Sequence, residues 1–264
     1  FNVTLIQRST RHFKVTPLGQ EFYAECSKII EQADQAQNVL LKQKNEPKGL
    51  IKLSCPPVMM EHQIRPLLNQ FLKDHPHVDV EMELTSRRVD VLHDDIDLAI
   101  RTNFGVNEDS SIIVRDVVKT THCLVISPEL LQGRTIEHVT QINDYPTIVL
   151  GTQKAHYHWH LHNLKYQDEI KILLEPRIKS NDLAGVYYAV LDGLGIADLP
   201  YLTVKEDIEA GRLIHLLPDC CSNLGTVQLV YASRKGQRLV MEKLIEHLIE
   251  GVRNYAPTQE GYLI

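Results

Sequence analysis

Four histidines alternate through the string His156-Tyr157-His158-Trp159-His160-Leu161-His162, and on a strand all four would project to one face. Imidazoles grouped on a face are ligands for zinc or nickel. Against this, residues two apart on a strand place their side chains about 6 to 7 Å apart, which one metal bridges only with favourable rotamers. No carboxylate adjoins the string to orient a ring, although Asp168 or Glu169 can fold back to it. The expectation is a surface hairpin and no metal site. The five cysteines, Cys26, Cys55, Cys123, Cys220 and Cys221, are odd in number, scattered and never spaced as CxxC, so neither a disulfide framework nor a zinc module is signalled. Redox chemistry would sit at Cys123, beside His122, or at the Cys220–Cys221 pair, but burial is the simpler reading. There is no GxSxG, HExxH or P-loop, and GLGIAD lacks the order of a dinucleotide fingerprint. No enzyme activity and no cofactor are expected.

Val3, Leu5, Phe13 and Val15 alternate with polar residues around the break Gln7–Arg11, which predicts a small hairpin with a basic tip. Thr16-Pro17 is a helix start, because the threonine oxygen satisfies an orphan amide and proline needs no donor there. Phe22, Cys26, Ile29, Ala33, Ala36 and Leu40 then follow a 4,3,4,3,4 spacing that keeps one apolar seam and calls for a partner helix. The pattern stops in the polar stretch Lys42–Gly49, read as a linker. Beyond it strands and helices alternate: a strand at Leu50–Cys55, a helix from about Pro57 to Lys73, a strand at Val78–Leu84, a helix at Arg88–Leu92 and a strand at Leu98–Arg101. A strand at His122–Ile126 precedes a second α/β unit that runs through Ile136–Ile142, Thr147–Leu150, Ile170–Leu174, a helix at Leu183–Leu191 and a strand at Gly195–Ala197. A strand at Val227–Ala232 and a helix at Leu239–Arg253 close the fold, and the tail from Pro257 is expected to be loose.

The chain has 264 residues, 43% hydrophobic and 23% charged, the composition of an ordinary globular protein with room for two domains. No apolar run reaches the roughly 18 to 20 residues of a membrane span, and the first residues carry no signal sequence, so a cytoplasmic location is expected. The net charge is −6. Residues 1–16 hold Arg8, Arg11 and Lys14 and no acid, a short basic arm on an acidic body. Phe1 is no start methionine, and Phe1–Leu5 reads as mid-domain sequence, which predicts that further residues precede it.

Two α/β lobes bind ligands in the crevice at strand C-terminal ends, where helix N-termini offer amides to an anion. The candidate walls are the turn Cys55, Pro56, Pro57 and Val58, then Thr85 and Ser86, then Arg101 and Thr102 from the first lobe. The second lobe supplies Ser180 and Asn181, which with Asp182 cap the helix at Leu183, and the turn Gly195–Asp198. Arg101 is the most suggestive, since its rigid fork holds a carboxylate bidentately. The competing reading pairs it with Asp95 or Asp97.

Four stretches carry a resemblance to the LysR-type transcriptional regulators over almost the whole chain. FNVTLIQRSTRHFKVTPLG resembles the wing and linker-helix start of that family's winged helix-turn-helix, while DLAIR at Asp97–Arg101, GLGIADLP at Gly193–Pro200 and EAGRLIHLLP at Glu209–Pro218 resemble its body. The resemblance implies an α/β, two-lobed effector domain like a type 2 periplasmic binding protein, preceded by a long linker helix and the remnant of a winged helix-turn-helix. It divides the chain into a wing (1–16), a dimerising linker helix and hinge (17–49), lobe I (50–126 with 233–256), lobe II (127–232) and a tail (257–264). It places effector contacts at the turns named above and dimerisation on the Phe22–Leu40 seam. The expected partners are double-stranded DNA, a small-molecule effector and a second copy of the chain, with dimers pairing into tetramers. The helix that reads the major groove would precede Phe1, so Arg8, Arg11 and Lys14 would touch phosphates only and bind weakly and without sequence specificity. A solute-binding receptor of the same body fold is the alternative, and an enzyme on that scaffold a third.

Overall fold

The computed structural model describes residues 3–8, 13–44, 46–105, 112–151, 157–163, 168–233 and 238–255. Arg11, His156 and the tail at 257–264 lie outside them. Strand β1 (Ile6–Arg8) pairs antiparallel with β2 (Phe13–Val15), with Gln7 opposite Lys14. Helix α1 (Pro17–Lys44) begins as its first residues dictate: the Thr16 Oγ1 accepts the Gly19 amide at 3.0 Å. Gly19 lets the hairpin lie against the helix start, since a Cβ there would fall 2.2 Å from the Leu5 carbonyl oxygen.

Strand β3 (Gly49–Cys55) runs parallel to both β4 (Val78–Leu84) and β5 (Leu98–Asn103). The connection from β3 to β4 is not the single helix predicted. It is a short α2 (Pro57–Met59), a π-turn (Met60–Ile64) and α3 (Arg65–Asp74). Pro66 has no amide to donate and its ring crowds the carbonyl four residues back. The wider turn, in which the Arg65 amide reaches back to the Met60 carbonyl, opens the helix just before it. The helix predicted at Arg88–Leu92 is absent; these residues form irregular chain and a turn. Val89 and Val91 are both buried with Ile96, a spacing that suits extended chain, and aspartates take the local amides, Leu92 onto Asp90 and Asp90 onto Asp94.

The second half comprises β6 (Ile112–Ile126), α4 (Pro128–Leu131), a 3₁₀ turn (Val139–Asp144), β7 (Thr147–Leu150), β8 (Tyr157–Asn163), β9 (Glu169–Leu174) and β10 (Ile178–Ser180). It continues with α5 (Leu183–Leu191), β11 (Ile196–Pro200), α6 (Tyr201–Glu209), β12 (Ile214–Leu216), β13 (Cys220–Ala232) and α7 (Leu239–Tyr255). The strands predicted at 122–126 and 227–232 are the far ends of β6 and β13, which pair antiparallel with each other and link the two halves in the order β10-β7-β11-β6-β13-β5-β3-β4. Two core regions flank that link. Ile51, Leu53, Phe71 and Leu98 pack with Val227, Leu229 and the inner face of α7 in one. In the other half, Leu124, Ile126, Trp159 and Ile196 form one cluster and Cys123, Val125, Val186 and Leu199 a second. The polypeptide therefore changes core in the middle of β6 and β13. No helix among the described residues is long and apolar enough to cross a membrane.

Candidate functional site

A cavity of about 280 Å³ lies between the halves, where strand ends from both converge. From the first half it is lined by Ser54, Pro56, the Thr85–Val89 turn and the end of β5 through Thr102 to Phe104, and from the second by Leu150, Asn181, Leu183 and the start of α6. Of the residues singled out in the sequence, Pro56, Thr85, Ser86, Arg101, Thr102 and Asn181 are brought together on this wall. Cys55, Pro57 and Val58 are not. The reason is parity: neighbours on a strand face opposite sides, so Ser54 meets the cavity while Cys55, wholly buried, points into the core beneath. Met59, the next residue, and Gln63, about a turn beyond it, take the place expected of Val58.

Ser180, Gly195 and Asp198 also serve elsewhere. The Ser180 hydroxyl accepts the Asp182 amide, and a Cβ on Gly195 would come 2.7 Å from the Pro146 carbonyl oxygen, so that glycine answers to packing. Asp182 caps α5 as its sequence suggests, accepting the Ala184 and Gly185 amides at 3.3 and 3.2 Å. That cap occupies the amides a free helix N-terminus would have offered an anion, so side chains must hold one instead. Asp198 faces a second cavity of about 270 Å³ that shares His122 and Leu150 with the first. There its carboxylate accepts the Ser222 hydroxyl at 2.7 Å, and His122 Nδ1 stands 3.5 Å away.

The charges around the main cavity are unequal. Arg87, Arg88, Arg101 and His122 line it, and no aspartate or glutamate does among the described residues. Arg87 is already engaged by Asp94 at 2.7 Å and Glu83 at 3.3 Å. The Asp90 amide and Arg87 hold the Asp94 carboxyl below its usual range. Of the acids proposed from sequence as rivals for Arg101, Asp97 accepts the Lys52 amide at 2.9 Å and lies 3.5 Å from Arg238, while Asp95 pairs with the Lys52 ammonium. Gln63 is 4% exposed, and its Oε1 has no hydrogen-bond partner among the described residues. The stretch that carries Met59 and Gln63 also spans to the second half. Tyr188 Oη donates to Glu61 at 3.3 Å, and the His62 ring meets the Tyr187 ring at 4.9 Å. Tyr187 in turn donates to Asp207, which accepts Arg212.

Outside the cavity, β8 and β9 form the expected antiparallel hairpin, with Tyr157, Trp159 and Leu161 buried and His158 and His160 exposed, their rings 4.6 Å apart. His162 Nδ1 lies 3.8 Å from Glu169, its cross-strand partner. Among the described residues no group of three or more histidine, cysteine or acidic side chains is placed to hold a metal. Cys55, Cys123, Cys220 and Cys221 are buried, and burial pushes their thiols up; Cys26 on α1 is half-buried. Along the seam of α1, Phe22, Ile29 and Leu40 are 55 to 66% exposed, and Ala33 and Ala36 are exposed too. Lys14 is exposed on β2; of Arg8 only the backbone, in β1, is described.

A family model described as the LysR substrate binding domain matches residues 44–253. An uncharacterised HTH-type transcriptional regulator of Haemophilus influenzae is 27% identical over 232 residues, covering 88% of this chain and 79% of its own. The Escherichia coli HTH-type transcriptional regulator DmlR is 26% identical over 261 residues, covering 97% and 83%. Among solved structures, CrgA of Neisseria meningitidis, a LysR-type transcriptional regulator, superposes with a TM-score of 0.70 at 22% identity over 95% of this chain and 84% of its own. The full-length Vibrio cholerae virulence activator AphB does so with a TM-score of 0.64 at 24% identity, covering 94% and 84%. At those identities the likeness speaks for the fold.

Proposed function

The chain belongs to the LysR-type transcriptional regulators, and on that premise we propose that the cavity between its halves receives the effector and that the effector is a small anion. Regulators of this family bind DNA and small-molecule effectors and oligomerise, and the relatives are regulators rather than enzymes. The observation that carries the anion reading is a wall lined by Arg88, Arg101 and His122, with Arg87 paired to Asp94 and Glu83, and by no carboxylate among the described residues. Arg101 is the anchor, its guanidinium matching a carboxylate in two parallel hydrogen bonds. Thr85, Ser86, Thr102 and Asn181 supply neutral donors around it, and the Gln63 amide a further polar handle. An apolar remainder, with Met59, Ile100 and Leu202 among it, takes the body of the ligand.

Filling the cavity would act on the relative position of the halves through the π-turn, since Met59 and Gln63 touch the cavity and Glu61 and His62, in the same stretch, touch α5. The division that serves this is a wing at 1–16, a dimerising helix and hinge at 17–49 and two lobes, with 50–126 and 233–256 against 127–232. The ends of β6 and β13 at 122–126 and 227–232 pack across those bounds, each into the core of the other lobe, and so tie the lobes together. Two copies would pair along Phe22, Cys26, Ile29, Ala33, Ala36 and Leu40, dimers would pair into tetramers, and Arg8, Arg11 and Lys14 would touch DNA phosphates. The cytoplasm is where such a regulator meets its DNA.

The test is thermal unfolding of the chain against small carboxylates. A ligand at 100 times its dissociation constant stabilises by about 2.7 kcal/mol. A carboxylate that raises the midpoint for the native chain and fails to do so for Arg101→Ala supports the reading. Affinity within twofold of native in Arg101→Ala would remove the anchor role.

A further inference from the structure

Two apolar residues of the cavity wall are exposed, Leu150 and Phe104, and of these Phe104 carries a ring. Phe104 follows the end of β5, is 49% exposed and lines the cavity. Its ring has a defined seat. Gly225 of β13 lies beneath it, and a Cβ at that position would stand 2.7 Å from Cε1 and 2.8 Å from Cδ1 of the ring, so only glycine lets the ring lie where it does. The register between β13 and β6 slips between Ser222 and Gly225, which puts the glycine under the ring. His122 holds the ring from another side, the two centroids 5.6 Å apart and nearly perpendicular at 81°. An aromatic side chain gripped by its neighbours and half open to a cavity is a preorganised platform for another ring. The space suits one: an apolar cavity of about 150 Å³ takes a benzene, and here there are about 280 Å³ for a ring and its substituents.

We propose that the effector is an arene carboxylate, its ring stacked on Phe104 and its anionic group on the arginine side of the cavity. This rests on the anion reading above and deepens it. Phe104 sets the preference for a flat, conjugated body, and Gly225 sets the position of Phe104.

The matched probes are benzoate and cyclohexanecarboxylate, equal in charge and close in size, of which only the first is flat and aromatic. Calorimetric titration of the full chain is expected to give benzoate at least fivefold the affinity of cyclohexanecarboxylate. In Phe104→Leu, which keeps apolar bulk and loses the ring, that ratio falls below twofold, and Gly225→Ala, which displaces the ring without altering it, lowers the ratio in the same direction. Equal affinities in the native chain, or a preference that survives Phe104→Leu, would overturn the platform and leave the anion reading standing. Binding of neither probe at 10 mM, together with no midpoint shift from any other carboxylate, would overturn both.

Discussion

Helices α1 and α7 both carry an apolar stripe on a polar background, and the two stripes meet opposite surroundings. On α7, Met241, Leu244, Leu248 and Val252 are at most 1% exposed and pack into the core of the first half. On α1, Phe22, Ile29 and Leu40 stay 55 to 66% exposed. Residues 240, 241, 244, 245, 248 and 252 of α7 settle on the core of their own half. The 4,3,4,3,4 seam of α1, with Tyr23 and Ile30 exposed beside it, stays open and is the kind of face that fits a second helix. Hydrophobic periodicity shows that a face wants covering, and the tertiary structure decides which of those faces the chain covers by itself.

The sharpest way to break this contrast is Leu248→Ala on α7. It removes a wholly buried side chain and is expected to cost about 2 to 5 kcal/mol in denaturant unfolding. A loss under about 1 kcal/mol would mean that α7 sits on a softer core than its burial implies. Next comes Gly251→Ala on the same helix, where the new methyl would meet the Leu67 side chain at 2.4 Å. Overpacking of this kind costs about 1 to 3 kcal/mol, and adding Leu67→Ala should give part of it back, which a double-mutant cycle reads directly. Thr16→Ala removes the cap of α1 and is expected to cost about 1 kcal/mol, seen as reduced helical circular dichroism on warming before the main unfolding step. The smallest effect on stability belongs to Ile29→Glu on the seam, within about 0.5 kcal/mol for the single chain, while the mass measured by light scattering falls toward that of a monomer. If Ile29→Glu unfolds the chain as Leu248→Ala does, the contrast between the helices is lost.

The cavity shows how far a sequence reading reaches into a site. Thr85, Ser86, Arg101, Thr102 and Asn181 were found because a ligand crevice in an α/β protein lies at strand ends, and strand ends are marked by turn residues and by the stop of an apolar run. The sequence points to Cys55 where the structure has Ser54 because the end of a strand can be located to a residue or two while its facing alternates at every residue, and to Val58 where it has Met59 because each step along a helix turns the side chain by about 100°. Gly195 sat at the right turn for a packing reason, the approach of Pro146. Thr120, His122 and Phe104 were missed. The first two lie midway along β6, where nothing local marks them, and Phe104 depends on a glycine 121 residues later.

Local sequence was enough for the cap at Thr16, the seam of α1, the cap at Asp182 and the alternation of strand with helix, because each depends on residues within a turn or two of one another. The absence of a helix at Arg88–Leu92, the π-turn before Pro66, the passage of β6 and β13 through both halves and a cavity wall with no carboxylate among the described residues were settled by folding. Each of these depends on which distant surface a segment buries, and burial is a property of pairs of segments that neither carries alone.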